Sequence, residues 1–489
     1  MDPSQIDPDH DAQILQPIDE VLAQICDYVL QPTSDSLVVM DTARYALLDA
    51  LGCGLAALRQ PACLQVLGPM VPGTLVPHGS RVPGTSYVLD PAMATFNLGA
   101  MIRWQDFNDT WLAQEWSHPS DNLAGLLMTA DHLSQLHRLQ GESPIFMKQV
   151  LQGLVKAYEI QGVLALSNSL NRHGLDHVLF VKVATAAVVA ALLGGDSRQI
   201  CTALSLAWVD NVSLRTYRHA PNVGWRKSWA AADAGRRGVE FAWLAQRGEQ
   251  GYPTALSAPR WGVNDVIFSG TPVTLTRPLG TYVMENVLFK AAYPAEFHAQ
   301  TALEAAIQLH PLVAPRWREI SRIDIVTHES ALRIIDKKGP LRNPADRDHS
   351  LQYIVALGLL FGTVTSEMYE DAVAADFRID WLRDKMMVVE NIQFSEDYIH
   401  PHKRSVTNSV QVTFADGSQS AEVRVEYPLG HPRRRQEALP KLLEKFHTHL
   451  LSRYTPQRSE AILAQTWHHP QLEDMPVDQF VSLFLPGHM

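Results

Sequence analysis

Apolar positions recur at helical spacing through the first half of the chain. Between residues 149 and 166, Val150, Leu151, Leu154, Val155 and Tyr158 fall on one stripe of a 3.6-residue period. Ser143-Pro144 upstream supplies a cap residue and a first-turn proline, so the helix is expected to open there. Residues 42–58 are rich in Ala and Leu, and residues 203–208 continue the pattern. Residues 178–193 are almost wholly apolar. They are only 16 long, contain Lys182 and end at Gly194-Gly195, whereas a membrane span needs about 20. They read as a helix buried in the middle of a bundle. Small residues (Gly52, Gly54, Ala56, Ala57; Ala184, Ala186, Ala187, Ala190, Ala191) sit where such helices would face each other.

The texture changes near Ser269-Gly270-Thr271-Pro272. Beyond it, β-type runs are expected at residues 273–276, 320–326, 386–394, 410–414 and 421–427. The last two flank Asp416-Gly417, a hairpin turn signal. Helical patterns at 299–309 and 349–361 lie between them, and residues 436–452 turn helical again. The predicted fold class is mainly α with an α+β insertion. A large all-helical domain (1–272, completed by 433–489) would carry a smaller α+β lid domain (273–432). A cleft between a base and a lid is a preferred place for a ligand.

Composition narrows the function classes. The chain has 489 residues, of which 46% are hydrophobic and only 19% charged, so it must bury a large core. Forty-one basic and 52 acidic residues leave a net charge of −11, which argues against nucleic-acid binding. An anionic substrate would need its cations gathered in a pocket. Four cysteines (Cys26, Cys53, Cys63, Cys201) without a C-x-x-C pair predict reduced thiols and no iron–sulfur cluster. The first ten residues carry neither a signal peptide nor a transit peptide pattern, so a soluble cytoplasmic protein with no membrane partner is expected. No Gly-rich nucleotide loop and no H-E-x-x-H helix occurs; neither cofactor nor metal is expected.

Candidate chemistry concentrates in four places. The densest polar run is Trp104-Gln105-Asp106-Phe107-Asn108-Asp109-Thr110-Trp111, followed by Glu115-Trp116-Ser117-His118-Pro119-Ser120-Asp121-Asn122. A helical turn would put Asp106 and Thr110 on one face. Pro119 would open a helix with His118 at its N-terminus, where the backbone dipole favours neutral imidazole, the form a general base needs. The same run also fits a plain capping cluster with a structural histidine. The second place is cationic with interleaved aromatics, Arg215-Thr216-Tyr217-Arg218-His219 and Trp225-Arg226-Lys227-Ser228-Trp229, and fits either an anion site or a solvated basic face. The third comprises Lys290 in an apolar stretch (a pocket cation or a snorkelling surface residue), with His298 just beyond, and Arg347-Asp348-His349-Ser350-Leu351-Gln352-Tyr353. The fourth is His177, just before the buried helix.

The run from Asp106 to Trp111 with His118-Pro119-Ser120-Asp121-Asn122 resembles the signature of the 2-methylcitrate dehydratase (MmgE/PrpD) family, which also contains cis-aconitate decarboxylase and iminodisuccinate epimerase. Ala157-Tyr158-Glu159-Ile160-Gln161-Gly162, His177, Arg215 to His219, Arg226-Lys227-Ser228-Trp229, Phe289-Lys290, Tyr293-Pro294-Ala295-Glu296 and His349 to Tyr353 follow in the same order. The likeness runs from about residue 15 to 480. It implies a helical domain plus lid in a homodimer, and active-site positions at Asp106, Thr110, His118, His177, Lys227, Lys290 and Tyr353.

Leu112-Ala113-Gln114-Glu115-Trp116 and residues 215–220 resemble the dehydratase branch rather than the decarboxylases. The implied activity is metal-independent elimination of water from the tricarboxylate 2-methylcitrate, a step of the methylcitrate cycle in propionate catabolism. Activity on citrate or cis-aconitate is compatible with the same site. His118 would be the base, with Asp106 orienting it or passing a proton to the leaving hydroxyl, and Tyr353 an acid. His118 and His177 could exchange parts. Lys227, Lys290, Thr110 and Arg215 would bind the substrate. The rivals are a decarboxylase or epimerase on the same scaffold and, from a different class, a non-enzymatic binding protein using residues 215–227 as an interaction patch.

Overall fold

The computed structural model describes residues 17–34, 36–219, 221–400 and 402–487; the N-terminal ten residues read above and Ala220 lie outside them. The chain is mainly α with one four-stranded mixed sheet and a short antiparallel ribbon that pairs residues 80–81 with 88–89. Its principal helices before the sheet are α1 (Glu20–Leu30), α2 (Leu37–Ala57), α3 (Pro91–Arg103), α4 (Leu123–Gln140), α5 (Met147–Ser167), α6 (Val178–Leu192), α7 (Ser197–Val209) and α8 (Arg226–Gln246). Helix α6 is the buried helix foreseen: Val178 to Ala190 are all buried, and Lys182 is neutralised by Asp210, 3.3 Å away. Small residues do bring the helices together. A Cβ on Gly52 of α2, one of the positions named above, would stand 2.9 Å from the Phe446 ring, and one on Gly99 of α3, a position not named there, 3.0 Å from the Ala232 backbone of α8. Among the described residues no helix is long and apolar enough to cross a membrane.

The sheet has the order β2-β1-β3-β4, with β1 at Ile320–Thr327, β2 at Met386–Glu390, β3 at Asn408–Phe414 and β4 at Val423–Val425. Strands β1 and β2 run parallel (Ile325 opposite Val388). Strand β3 is antiparallel to both β1 (Ile325 opposite Val410) and β4 (Val410 opposite Val423). Gly417, at φ +85°, sits in the turn that follows β3; that conformation is nearly free only for glycine. Helices α9 (Gln300–Val313) and α10 (Leu351–Phe361) pack with this sheet in a core containing Leu303, Ile323, Ile354, Leu357 and Val410. A separate core holds α1 to α8, extends to Phe289 and Ala291, and takes in Ala438, Leu442, Phe446 and Leu450 of α11 (Arg435–Leu451).

Four local expectations are corrected. Helix α5 starts at Met147, not at Ser143-Pro144, because Gln149 folds back to accept from the Phe146 N–H at 2.9 Å. Residues 273–276 form no strand. The Val273 and Thr274 N–H groups donate instead to the side chains of Asn264 (3.0 Å) and Asn168 (3.2 Å). The run at 386–394 is a strand only to Glu390, since Asn391 then caps a helix (Ile392–Ile399) by accepting from Gln393 and Phe394. Finally, Cys26 and Cys201 are disulfide-linked and only Cys53 and Cys63 are free thiols. Helices α1 and α7 pack closely enough to put the two Cα atoms 5.9 Å apart, which falls within disulfide reach and which spacing along the chain could not reveal.

One close approach fixes the segment that carries Lys290. The Phe289 N–H donates to the Gly430 carbonyl at 3.0 Å, and a Cβ on Gly430 would lie 1.5 Å from the Phe289 oxygen. Backbone cannot yield as a flexible side chain does. Gly430→Ala is therefore expected to cost about 3 kcal/mol or more in urea unfolding; a loss below about 1 kcal/mol would show that the contact is soft.

Candidate active site

Helix α3 ends at Arg103, and the chain then turns sharply. Asp106 has φ +49°, a left-handed conformation uncommon outside glycine and best tolerated by Asp and Asn. The expected helical face shared by Asp106 and Thr110 therefore does not form. Asp106 reaches the cleft from a turn. Thr110 reaches it from an extended segment, where its N–H donates to the Leu288 carbonyl (2.8 Å) and its carbonyl accepts from Leu288 N–H (3.1 Å).

The turn places the Asp106 carboxylate between two buried cations. Arg103 Nη1 bonds one oxygen, and Lys290 Nζ donates to the other at 2.7 Å and also to the Asp106 carbonyl. Burial alone would raise the Asp106 pKa, but Arg103 and Lys290 hold it well below the ordinary carboxylate range. From beneath, Lys445 of α11 donates to the carbonyls of Phe107 (2.6 Å) and Lys290 (2.9 Å) and lies 2.7 Å from Asp49.

His118 precedes a short 3₁₀ turn (Pro119–Asn122) that leads into α4, as the proline predicts. Its Nδ1 lies 2.6 Å from the Asp109 carbonyl oxygen. A carbonyl only accepts, so Nδ1 carries the proton and Nε2 keeps its lone pair. Nε2 is 3.7 Å from Asp106 Oδ1, beyond a hydrogen bond. The orienting group for His118 is thus the Asp109 backbone rather than the Asp106 side chain. Burial, reinforced by the charge of Arg103, holds the imidazole well below its usual pKa. His177 precedes α6, with its ring centroid 5.9 Å from that of His118. Burial lowers its pKa to about 4 even though Asp176 Oδ1 stands 2.9 Å away.

Asp106, Thr110, His118, His177, Arg215 and Lys290 all line one cleft of about 250 Å³. Two expected members do not. Lys227 is buried behind the wall, spent on Asp348 (2.7 and 2.9 Å) and the Ala345 carbonyl. Tyr353 belongs to the second core; its hydroxyl donates to the Met368 carbonyl at 2.8 Å and burial raises its pKa to about 12. It is not positioned as an acid in this cleft.

The cleft also contains residues that sequence reasoning passed over. His349, quoted with its run but given no role, faces it with Nδ1 2.6 Å from Asp348, the carboxylate that holds Lys227. Arg103, three residues before Asp106, was outside the quoted motif. Arg218, named in the cationic stretch but given no role of its own, enters on a 2.5 Å bond to Asp176. Trp116 carries the guanidinium of Arg215 at 5.2 Å and that of Arg333 at 5.1 Å from its ring centroid. Arg333 and Lys337 are four apart, but nothing in a sequence aims that pair at a distant wall. Asp106 and Glu296 are the acidic residues in the lining. Arg215 Nη1 is buried with no hydrogen-bond partner among the described residues, a costly state that an anion would relieve. Among the described residues no group of three or more His, Cys, Asp or Glu could hold a metal ion.

The MmgE/PrpD N-terminal domain model matches residues 23–276, and the MmgE/PrpD C-terminal domain model matches residues 293–469. The chain belongs to the MmgE/PrpD family. Members similar to it include the 2-methylcitrate dehydratase of Cupriavidus necator, 57% identical over 469 residues (95% of this chain, 97% of that protein). That of Escherichia coli strain K12 is 55% identical over 470 residues (96% and 97%). The mitochondrial 2-methylcitrate dehydratase of Yarrowia lipolytica is 50% identical over 471 residues (96% and 90%).

Asp106→Asn would leave two buried cations without their shared counter-charge. It is expected to destabilise the fold by about 3 kcal/mol or more, read from urea unfolding near neutral pH. A loss below about 1 kcal/mol would mean that Arg103 and Lys290 find other partners.

Proposed function

We infer that this chain is a 2-methylcitrate dehydratase: it eliminates water from 2-methylcitrate to give 2-methyl-cis-aconitate. One observation carries the chemistry. In a chain of net charge −11, the cleft gathers Arg103, Arg215, Arg218, Lys290, Arg333 and Lys337 against two acidic residues. Three substrate carboxylates supply the missing charge, and fixed cations act most strongly where water is scarce. The near full-length likeness to 2-methylcitrate dehydratases supports the choice of tricarboxylate.

The division of labour follows from the tautomers and partners. His118 presents an unprotonated Nε2 and takes the proton from the methyl-bearing carbon beside a carboxylate. As that bond breaks, charge builds on the carboxylate, and the guanidinium groups of Arg215 and Arg218 stabilise it. Lys290 has spent two of its three N–H donors on Asp106; the third hydrogen-bonds the tertiary hydroxyl as its C–O bond breaks, and the proton taken up by His118 passes to the leaving oxygen, which departs as water. His349, steadied by Asp348 and Lys227, orients the substrate. His177 and Thr110 complete the pocket. The reaction needs no metal.

The two cores would act as a helical base and an α+β lid, with Arg333 bringing the lid's charge to Trp116. A cytoplasmic homodimer belongs to the same proposal and rests on the family resemblance.

His118→Ala is expected to keep inhibitor binding within a few fold and to lose about 10²-fold or more in kcat, the usual scale of general-base catalysis. The readout is the ultraviolet absorbance of the new double bond, with and without chelator. Unchanged turnover would remove His118 from the chemistry, and loss of turnover in chelator would introduce a metal. The pH dependence has a definite sign. A base must be neutral, and neutral His118 disappears only as pH falls through its lowered pKa. After correction for substrate ionisation, kcat/KM should hold level down through about pH 6.5, the ordinary imidazole value. An acid limb at or above that pH, abolished in His118→Asn, would contradict the assignment.

A further inference from the structure

A second basic cavity of about 320 Å³ lies beside the cleft and shares one of its walls. Leu112 lines both spaces. The wall is the paired segment in which Thr110 and Leu288 exchange backbone hydrogen bonds; Thr110 lines the cleft and Leu288 lines the second cavity. His402, Lys403, Arg404, His431 and Arg433 line this cavity together, and its lining contains no acidic residue.

The cations are held in place but poorly neutralised. Arg404 adopts φ +46°, a strained conformation for a side chain of this size. That backbone brings its guanidinium 4.4 Å from the Trp111 ring centroid, where Nη1 donates to the Tyr282 hydroxyl at 2.8 Å. Arg433 donates to the His402 carbonyl at 2.7 Å. Among the described residues neither arginine has a carboxylate partner, and only Lys403 is ion-paired, with Asp397 at 2.8 Å. Neutral acceptors fix direction without cancelling charge, and the lining holds no acidic residue to offset the two arginines.

We propose that this cavity is a second binding site for a compact anion of two or more charges, separate from the catalytic cleft. Its walls come from both sides of the molecule. Trp111 and Tyr282 pack with the first core, Leu288 and Tyr398 meet in a small apolar cluster of their own, and His402, Lys403 and Arg404 precede the strand that starts at Asn408. An occupant therefore ties the lid to the base and lies one residue pair from Thr110. The proposal stands on the cavity's own charge and geometry and does not require the dehydratase assignment.

Stoichiometry tests it. Tricarballylate, a tricarboxylate that has no hydroxyl to eliminate, should occupy two sites per chain in calorimetry on the full protein. The Lys403→Gln/Arg433→Gln variant should take up one, with kcat/KM on 2-methylcitrate changed by less than about twofold. Lys403→Gln/Arg433→Lys, which keeps the charge at position 433, should restore the second. Pyrophosphate in a parallel titration separates phosphate from carboxylate: filling of the second site by pyrophosphate alone keeps the site and assigns its occupant to the phosphate class. Overturning results are a single site for both anions in the unaltered protein, or two sites persisting in the double variant. Absence of turnover on 2-methylcitrate would defeat the functional reading and leave the second-site count intact.

Discussion

The site depends on one buried carboxylate held between two cations. Asp106 is bonded by Arg103 from the end of α3 and by Lys290 from a segment 184 residues further on. Each of these charges would be prohibitively costly alone in a dry interior, and together they are tolerable. The group also fixes geometry. It holds the turn at positive φ, draws Lys290 to the cleft wall and leaves one ammonium donor free. Lys445 repeats the device a layer lower, binding the carbonyls on either side of that contact.

Around this anchor the protein reverses its own sign. The chain as a whole repels anions, yet the cleft collects guanidinium and ammonium groups from several stretches of sequence. Trp116 takes the guanidinium groups of both Arg215 and Arg333 against its ring, so one aromatic side chain holds two like charges at the cleft. Neutral imidazoles complete the arrangement. The Asp109 carbonyl commits His118 to one tautomer, and burial keeps it unprotonated. Within residues 215–227, read as a possible interaction patch, Arg215, Arg218 and Lys227 turn inward to Trp116, Asp176 and Asp348 respectively, while His219 and Trp225 stay exposed.

Much of this was legible in the sequence, and the reasons differ by level. The helical stripes at residues 149–166 and the apolar run of α6 were readable because burial imposes a period. The Asp-Gly turn was readable because its backbone demands particular residues. Asp106, Thr110, His118, His177, Arg215 and Lys290 were legible through motif resemblance, and the structure gathers them in one cleft. Lys227 and Tyr353 show the limit of that route: a motif fixes a residue's neighbourhood but not whether its polar atoms are already spent. The Cys26–Cys201 link, the Arg333 contact with Trp116 and the shared wall at Leu288 depend on separations of more than a hundred residues, which no local pattern encodes.

The most direct measurement is a crystal structure with tricarballylate in the cleft. The account predicts carboxylates on Arg215, Arg218 and Lys290, with a methylene carbon facing His118 Nε2 at proton-transfer distance. Carboxylates bound elsewhere, or a His118 ring whose Nε2 points away from every ligand carbon, would contradict it.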